Sequence, residues 1–254
     1  MQLPRTPSFR LDGRRALVTG ASRGIGMAAA CALAEAGADV WLAARNAAET
    51  EAVAAALRER GDSAHAVVLD VTDGAAVRAA VAEHGPFQVL VHSAGGNRPK
   101  PAFEVTDDDF DALMALNVES AFVTARAVAA GLKAARSAGS IVLVSSQMGH
   151  VGGLRRSVYC ATKHAVEGLR RALALEWGGD GIRVNTLCPT FIDTPMTHDW
   201  LAQPAFRAEV LAKIALGRVG SVQDLMGAVL FLASDASALV TGSALMVDGG
   251  WTAA

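Results

Sequence analysis

The chain has 254 residues, 52% of them hydrophobic and 19% charged, which supplies a sizeable core and excludes a disordered or fibrous protein. Its 23 basic and 25 acidic side chains give a formal net charge of −2, so no basic face points to nucleic acid as a partner. Mean hydropathy is +0.30, carried largely by alanine, and no stretch approaches the ~20 consecutive apolar residues of a membrane span.

The opening segment MQLPRTPSFRLDGRR places prolines and arginines where a secretory signal has an unbroken apolar stretch, so a cytoplasmic protein without a membrane partner is expected. Cys31, Cys160 and Cys188 are odd in number and lack metal-ligand spacing, so we expect reduced thiols, no disulfide framework and no metal site. Seven short apolar runs then follow along the chain: Arg15–Thr19, Asp39–Ala43, His65–Leu69, Gln88–His92, Ser140–Ser145, Ile182–Leu187 and Ala244–Val247. Their apolar residues lack a polar alternate face, as expected of a parallel sheet covered on both sides. Between them lie longer stretches of helix formers, including Met27–Ala36, Ala47–Arg60, Asp108–Ala135 and Ser157–Trp177. No linker or internal repeat interrupts this alternation. The pattern predicts a single doubly wound α/β domain over residues 1–254, with an N-terminal extension at about 1–12 and a substrate-loop or lid region at about 189–215. Ligands of such folds bind outside the carboxyl ends of the strands, so function is expected in those loops.

The first strand ends in Thr19-Gly20-Ala21-Ser22-Arg23-Gly24-Ile25-Gly26 and leads directly into a helical pattern. Glycines there allow a tight turn and close approach to a pyrophosphate, and the helix start favours an anion. Gly20 to Gly24 also fits the G-x-S-x-G nucleophile elbow, with Ser22 as nucleophile. That elbow requires an oxyanion donor from the loop after an earlier strand, and none precedes this one. A P-loop is excluded because no Lys-Ser or Lys-Thr pair closes the motif. The single tyrosine, Tyr159, lies four residues before Lys163, which puts both on one face of a helix. Ser145-Ser146 ends the preceding strand at the same sheet edge as the glycine turn.

Over nearly its whole length the chain resembles the short-chain dehydrogenase/reductase family. Thr19 to Gly26 is similar to the family's T-G-x-x-x-G-x-G, and Asp70-Val71 to its adenine-contacting acidic position. Asn117 matches the catalytic asparagine; Ser146, with twelve residues between it and Tyr159, and then Lys163 complete the tetrad that the resemblance implies. Pro189 stands where a Pro-Gly motif begins, with Thr190 in place of its glycine, and the segment Leu245 to Gly250 is also similar. The family's Asn-Asn-Ala-Gly is here His92-Ser93-Ala94-Gly95; we read His92 as structural, with ring nitrogens that need buried partners.

The resemblance implies a seven-stranded Rossmann fold with helices on both faces, catalysis by Asn117, Ser146, Tyr159 and Lys163, and a dinucleotide held by several segments. These are Gly20, Ser22, Arg23, Gly24, Ile25 and Gly26; Arg45; Asp70 and Val71; Ser93, Ala94 and Gly95; Tyr159 and Lys163; and Pro189, Ile192 and Thr194. Tyr159 then acts as acid or base, Lys163 makes the phenol more acidic and contacts the nicotinamide ribose, Ser146 holds the reacting oxygen, and Asn117 holds a relay water. An acidic residue for the ribose hydroxyls is missing at Ala44, while Arg23 and Arg45 offer forked donors to a 2′-phosphate, so NADP(H) is expected before NAD(H). Asn97, Arg98, Gln147, Met148, His150, Arg155, Arg156 and Thr190 are candidate substrate neighbours, suiting a polar hydroxy, keto or sugar acid. The alternatives are 3-oxoacyl-carrier-protein reductase activity and a non-catalytic nucleotide-binding regulator. Family members commonly form tetramers, and a homotetramer is expected.

Overall fold

The computed structural model describes residue 1 and residues 3–253; Gln2 and Ala254, both within the expected domain span, lie outside the described residues. Seven strands form one sheet: β1 (Arg15–Thr19), β2 (Asp39–Ala44), β3 (Ala64–Val68), β4 (Val89–His92), β5 (Gly139–Val144), β6 (Ile182–Pro189) and β7 (Ala244–Val247). Their order is β3-β2-β1-β4-β5-β6-β7, and every pairing is parallel. The order reverses between β1 and β4, which opens a crevice at the carboxyl ends of those two strands.

Consecutive residues of one strand supply opposite cores, which is why the strands are apolar without interruption. Ala16 and Val18 of β1, with Val40 and Leu42 of β2, pack toward α1 (Gly24–Glu35), α2 (Ala47–Glu59) and α9 (Gln223–Ala233) through Leu33, Leu57, Leu225 and Leu232. Leu17, Leu90, Ile141 and Leu143 face the other way, against α3 (Gly74–His84), α5 (Ser120–Ala134) and α6 (Ser157–Trp177), where Val81, Val128, Leu132, Val166 and Leu173 meet them. This is the doubly wound Rossmann arrangement.

One predicted helix divides in two. Asp108–Ala135 is realised as α4 (Asp107–Met114) and α5, joined by a π-helical turn at Ala115–Glu119. Thr106 starts α4 with a reciprocal capping box to Asp109. The widened turn carries an extra residue, and Asn117 within it is 2% exposed. This stretch, 107–134, is long and apolar enough to cross a membrane by length and composition, but half of its most apolar window is buried inside the fold.

The region after β6, expected as a substrate loop or lid at about 189–215, contains α7 (His198–Leu201) and α8 (Pro204–Leu211). Leu201, Val210 and Ile214 form a small apolar cluster with Phe191, Phe206 and Trp251, so this excursion has its own packing. At the other end, Leu11 is fully buried and its N–H donates to the Ala36 carbonyl at 2.8 Å, anchoring the exposed residues 3–10.

Candidate active site

The glycine turn is shaped by two residues that tolerate no side chain. Gly20 has φ +65°, and a Cβ there would meet the Ala94 backbone nitrogen at 2.9 Å; a Cβ on Gly26 would lie 2.2 Å from the Gly20 carbonyl oxygen. The turn therefore packs directly on the Ser93-Ala94 segment after β4 and leads into the amino end of α1, where backbone N–H groups favour an anion. The Ala21 N–H donates to the Ala43 carbonyl at 3.3 Å, which ties the turn to the end of β2. Across the turn, a Cβ on Gly24 would sit 3.5 Å from the Thr194 side chain, so the segment after β6 closes over the same place.

His92, at the end of β4, is 3% exposed and bridges two hydroxyls: Nδ1 lies 3.1 Å from Thr19 Oγ1, and Nε2 lies 3.1 Å from Ser120 Oγ. The bonds fix one tautomer. Thr19 Oγ1 accepts from the Ala94 N–H and has its proton free for Nδ1; Ser120 donates to the Leu116 carbonyl and accepts from Nε2–H. Burial, with the nearby Lys163 charge, depresses the imidazole to about 3, so it is neutral.

Asn117 fastens three segments. Its Oδ1 accepts from the Gly96 N–H at 2.8 Å, while Nδ2 donates to the Gly96 carbonyl at 2.9 Å and to Thr162 Oγ1 at 3.1 Å. Thr162 in turn donates to the Tyr159 carbonyl at 2.8 Å. Tyr159 lies in the first turn of α6, and the Lys163 Nζ, one turn on, stands 5.6 Å from its ring centroid and donates to the Val144 carbonyl at 2.9 Å.

Burial dominates the electrostatics of this pair. It raises the phenol of Tyr159, against the opposing influence of Ser146 and the Arg156 charge, and lowers Lys163 to about 8, against the attraction of Cys188 and Glu167. Tyr159 is thus a protonated phenol at neutral pH, and Lys163 is largely an ammonium. The Ser146 hydroxyl donates to Gln147 Oε1 at 2.6 Å and accepts from the Met148 N–H at 3.1 Å.

Tyr159, Ser146 and Gln147 border a cavity of about 110 Å³, with Asn97, Arg156 and Thr190 as further polar walls and Met196 and Trp200 on its outer side. Asn97 Oδ1 and Thr190 Oγ1 are buried there and have no hydrogen-bond partner among the described residues. A proton donor, a hydroxyl and a glycine turn shaped for a pyrophosphate thus meet at one sheet edge.

A family model described as Enoyl-(Acyl carrier protein) reductase matches residues 20–252. D-threitol dehydrogenase of Mycolicibacterium smegmatis is 41% identical, over 96% of this chain and 95% of that protein. The chain belongs to the short-chain dehydrogenase/reductase family. It is an oxidoreductase acting on CH–OH groups. Gluconate 5-dehydrogenase of Gluconobacter oxydans is 40% identical, over 96% of each chain. The crystal structure of a gluconate 5-dehydrogenase from Burkholderia cenocepacia, in complex with NADP and tartrate, superposes with a TM-score of 0.93 at 39% identity, covering 97% of this chain and 98% of that one.

Within this dehydrogenase/reductase the sequence candidates fall into distinct places. Gly95 lies beside Asn117 and Lys163, since a Cβ there would sit 3.2 Å from Asn117 Oδ1 and 3.8 Å from Lys163 Nζ. Ser22 and Ile25 belong to the glycine turn and the start of α1, Val71 follows β3, Pro189 ends β6, and Ile192 is buried and bridged to Gly220. Arg23 and Arg45 are exposed, and neither guanidinium has a hydrogen bond or ion pair among the described residues. Arg45 is close enough to help lower the Asp70 carboxyl, which is held down first by its bonds from Thr72.

Three substrate candidates lie outside the cavity wall. Arg98 pairs with Asp109 at 3.0 Å, and Arg155, exposed with φ 59°, shares that neighbouring depression. His150 has its Nε2 directed at Glu167 and Cys188. Arg156 is the arginine that reaches the cavity, 8% exposed and 5.9 Å from the Phe191 ring centroid. Trp200 and Met196 were not candidates; the apolar character of the excursion after β6 was their only signal. Thr162, also missed, shows itself only through its bond to Asn117.

Proposed function

We propose that this chain is an NADP(H)-dependent enzyme that interconverts a ketone and a secondary alcohol on a polyol or sugar acid, folded as one domain over residues 1–254 and working as a cytoplasmic homotetramer. The observation that carries this proposal is that Tyr159 and Ser146 line one cavity, with Lys163 one helical turn from Tyr159. A bound nicotinamide would supply the hydride donor or acceptor. In reduction, Tyr159 Oη gives its proton to the carbonyl oxygen, and Ser146 Oγ turns its hydrogen from Gln147 Oε1 toward the same atom. Lys163 keeps positive charge next to the phenolate that remains, and oxidation follows the same steps in reverse. Asn117, its side chain engaged by Gly96 and Thr162, holds α6 and the segment after β4 in place; in this proposal it acts by positioning.

Support for NADP(H) comes from the exposed arginines Arg23 and Arg45 with no carboxylate at Ala44, and from the relative of Burkholderia cenocepacia, which was crystallised with NADP. Support for a polar, acidic substrate comes from Arg156, a buried guanidinium with no ion pair among the described residues, and from the relatives named for threitol and gluconate. The free thiols Cys31, Cys160 and Cys188 suit a reducing compartment. Exposed Phe110 on α4 and Leu175 on α6 offer apolar surface to neighbouring copies.

The test is an assay of the purified protein with NADPH and NADH against ketoses, keto sugar acids and a 3-oxoacyl thioester, alongside Tyr159→Phe. Expected are turnover of a sugar-type substrate with higher kcat/KM for NADPH, and a loss of at least about 10²-fold in kcat for Tyr159→Phe with NADPH binding retained. Preference for the thioester would support the carrier-protein reductase instead. NADPH binding without turnover of any substrate would support the regulator.

A further inference from the structure

Three potential ligands from three different elements converge outside the cavity lining: His150 from the loop after β5, Glu167 from α6 and Cys188 from β6. We propose that they form a binding site for a thiophilic divalent cation of the zinc class. His150 Nε2 lies 3.6 Å from Cys188 Sγ and 3.6 Å from Glu167 Oε2, and Cys188 Sγ lies 3.4 Å from Glu167 Oε1. Zinc bonds of about 2.3 Å to sulfur and 2.0–2.2 Å to nitrogen and oxygen place tetrahedral ligand atoms roughly 3.3–3.6 Å apart. The separations to Cys188 Sγ, 3.6 Å from His150 Nε2 and 3.4 Å from Glu167 Oε1, match a tetrahedron's edges, and one ligand atom from each of the three residues lies within 4.8 Å of the others, so small side-chain adjustments close the set on an ion.

The surrounding groups orient these ligands. Arg170 Nε and Thr186 Oγ1 both donate to Glu167 Oε2, at 2.9 and 3.1 Å, which holds the carboxylate and leaves Oε1 facing the thiol. An independent observation marks the fourth corner. Ser145 Oγ is buried, has no hydrogen-bond partner among the described residues, and lies against both the Glu167 carboxylate and the Cys188 thiol. Gly149 leaves space beside it, since a Cβ there would stand 3.0 Å from Ser145 Oγ. Ser145 or a water it holds completes four-coordination. The His150 side chain is 26% exposed, so a cation can enter from solvent without crossing the substrate cavity. Binding replaces the thiol proton: Cys188–SH and M²⁺ give Cys188–S–M⁺ and one proton released to solvent, with neutral imidazole and carboxylate as the other ligands. Sequence spacing conceals the set, because 17 positions separate His150 from Glu167 and 21 separate Glu167 from Cys188, each in a different element.

The test titrates the reduced full-length protein with Co²⁺ as a spectroscopic probe. Expected are a sulfur-to-cobalt charge-transfer band and intense visible bands of tetrahedral Co²⁺, saturating at one equivalent and displaced by one equivalent of Zn²⁺. Cys188→Ser should remove the charge-transfer band; His150→Ala, at a partly exposed position with little risk to folding, should weaken binding by about tenfold or more. A Cys31→Ser/Cys160→Ser double variant should retain the wild-type spectrum. Absence of these bands from the wild type, their persistence in Cys188→Ser, or undiminished affinity in His150→Ala overturns the proposal.

Discussion

Lys163→Met tests the electrostatics of the site through stability as well as rate. Burial brings the wild-type ammonium from 10.5 to about 8, so between those pH values the unfolded chain holds a proton that the folded chain has lost. Wild-type stability therefore gains with rising pH across that window from this group, and is penalised below it. At roughly 1.4 kcal/mol per pH unit the penalty at pH 7 is about 3 kcal/mol. Methionine removes the titration. It also removes the bond from Nζ to the Val144 carbonyl, a loss that does not vary across the window in the variant. The stability difference between variant and wild type should thus move by about 3 kcal/mol in favour of wild type from pH 7 to pH 10.5. Urea denaturation without added dinucleotide, at one fixed protein concentration so that any assembly contributes equally, measures it. A difference constant within about 0.5 kcal/mol over the range would refute the placement of Lys163 as a desolvated cation. Turnover by the variant should fall at every pH.

Two further outcomes follow from the same geometry. His92 is neutral in the fold down to about 3 but takes a proton near 6.5 when unfolded, so this residue costs stability as pH falls below 6.5; in His92→Asn that acid slope, roughly 1.4 kcal/mol per pH unit, should disappear, and parallel acid denaturation curves would count against it. Arg45→Ala should raise KM for NADPH by about tenfold while leaving KM for NADH within about twofold, the loss of one charge-assisted bond at an exposed site; an equal effect on both cofactors would mean that this guanidinium does not meet the 2′-phosphate.

Sequence pattern and structure agree where one physical cause acts along the chain. The strands were legible because each feeds two cores, and the Gly20 to Gly26 turn because steric demand leaves no alternative to glycine. The π-helical turn at Ala115–Glu119 was not, since one inserted residue barely changes the helical period of its neighbours; Asn117 came from family resemblance alone. Arg155 and Arg156 have the same chemistry and both border the surface depression, but of the two Arg156 also lines the cavity, a difference that adjacent positions in sequence do not reveal. His150 was placed with the substrate segment by proximity in sequence, whereas its ring turns back toward β6.

The behaviour of Lys163 is set first by its burial and only then by charged neighbours, one of them a turn farther along α6. Cys188 and then Glu167 raise Lys163 by Coulombic attraction, yet the Glu167 Oε2 is shared with Arg170, a buried guanidinium that also donates to the Gly242 carbonyl. A carboxylate neutralised by one cation attracts a second only weakly, so desolvation prevails at Lys163 and leaves it able to lose its proton near pH 8. Desolvation inside the fold, more than any single charged neighbour, therefore sets the proton affinity of Lys163 at the centre of the cleft.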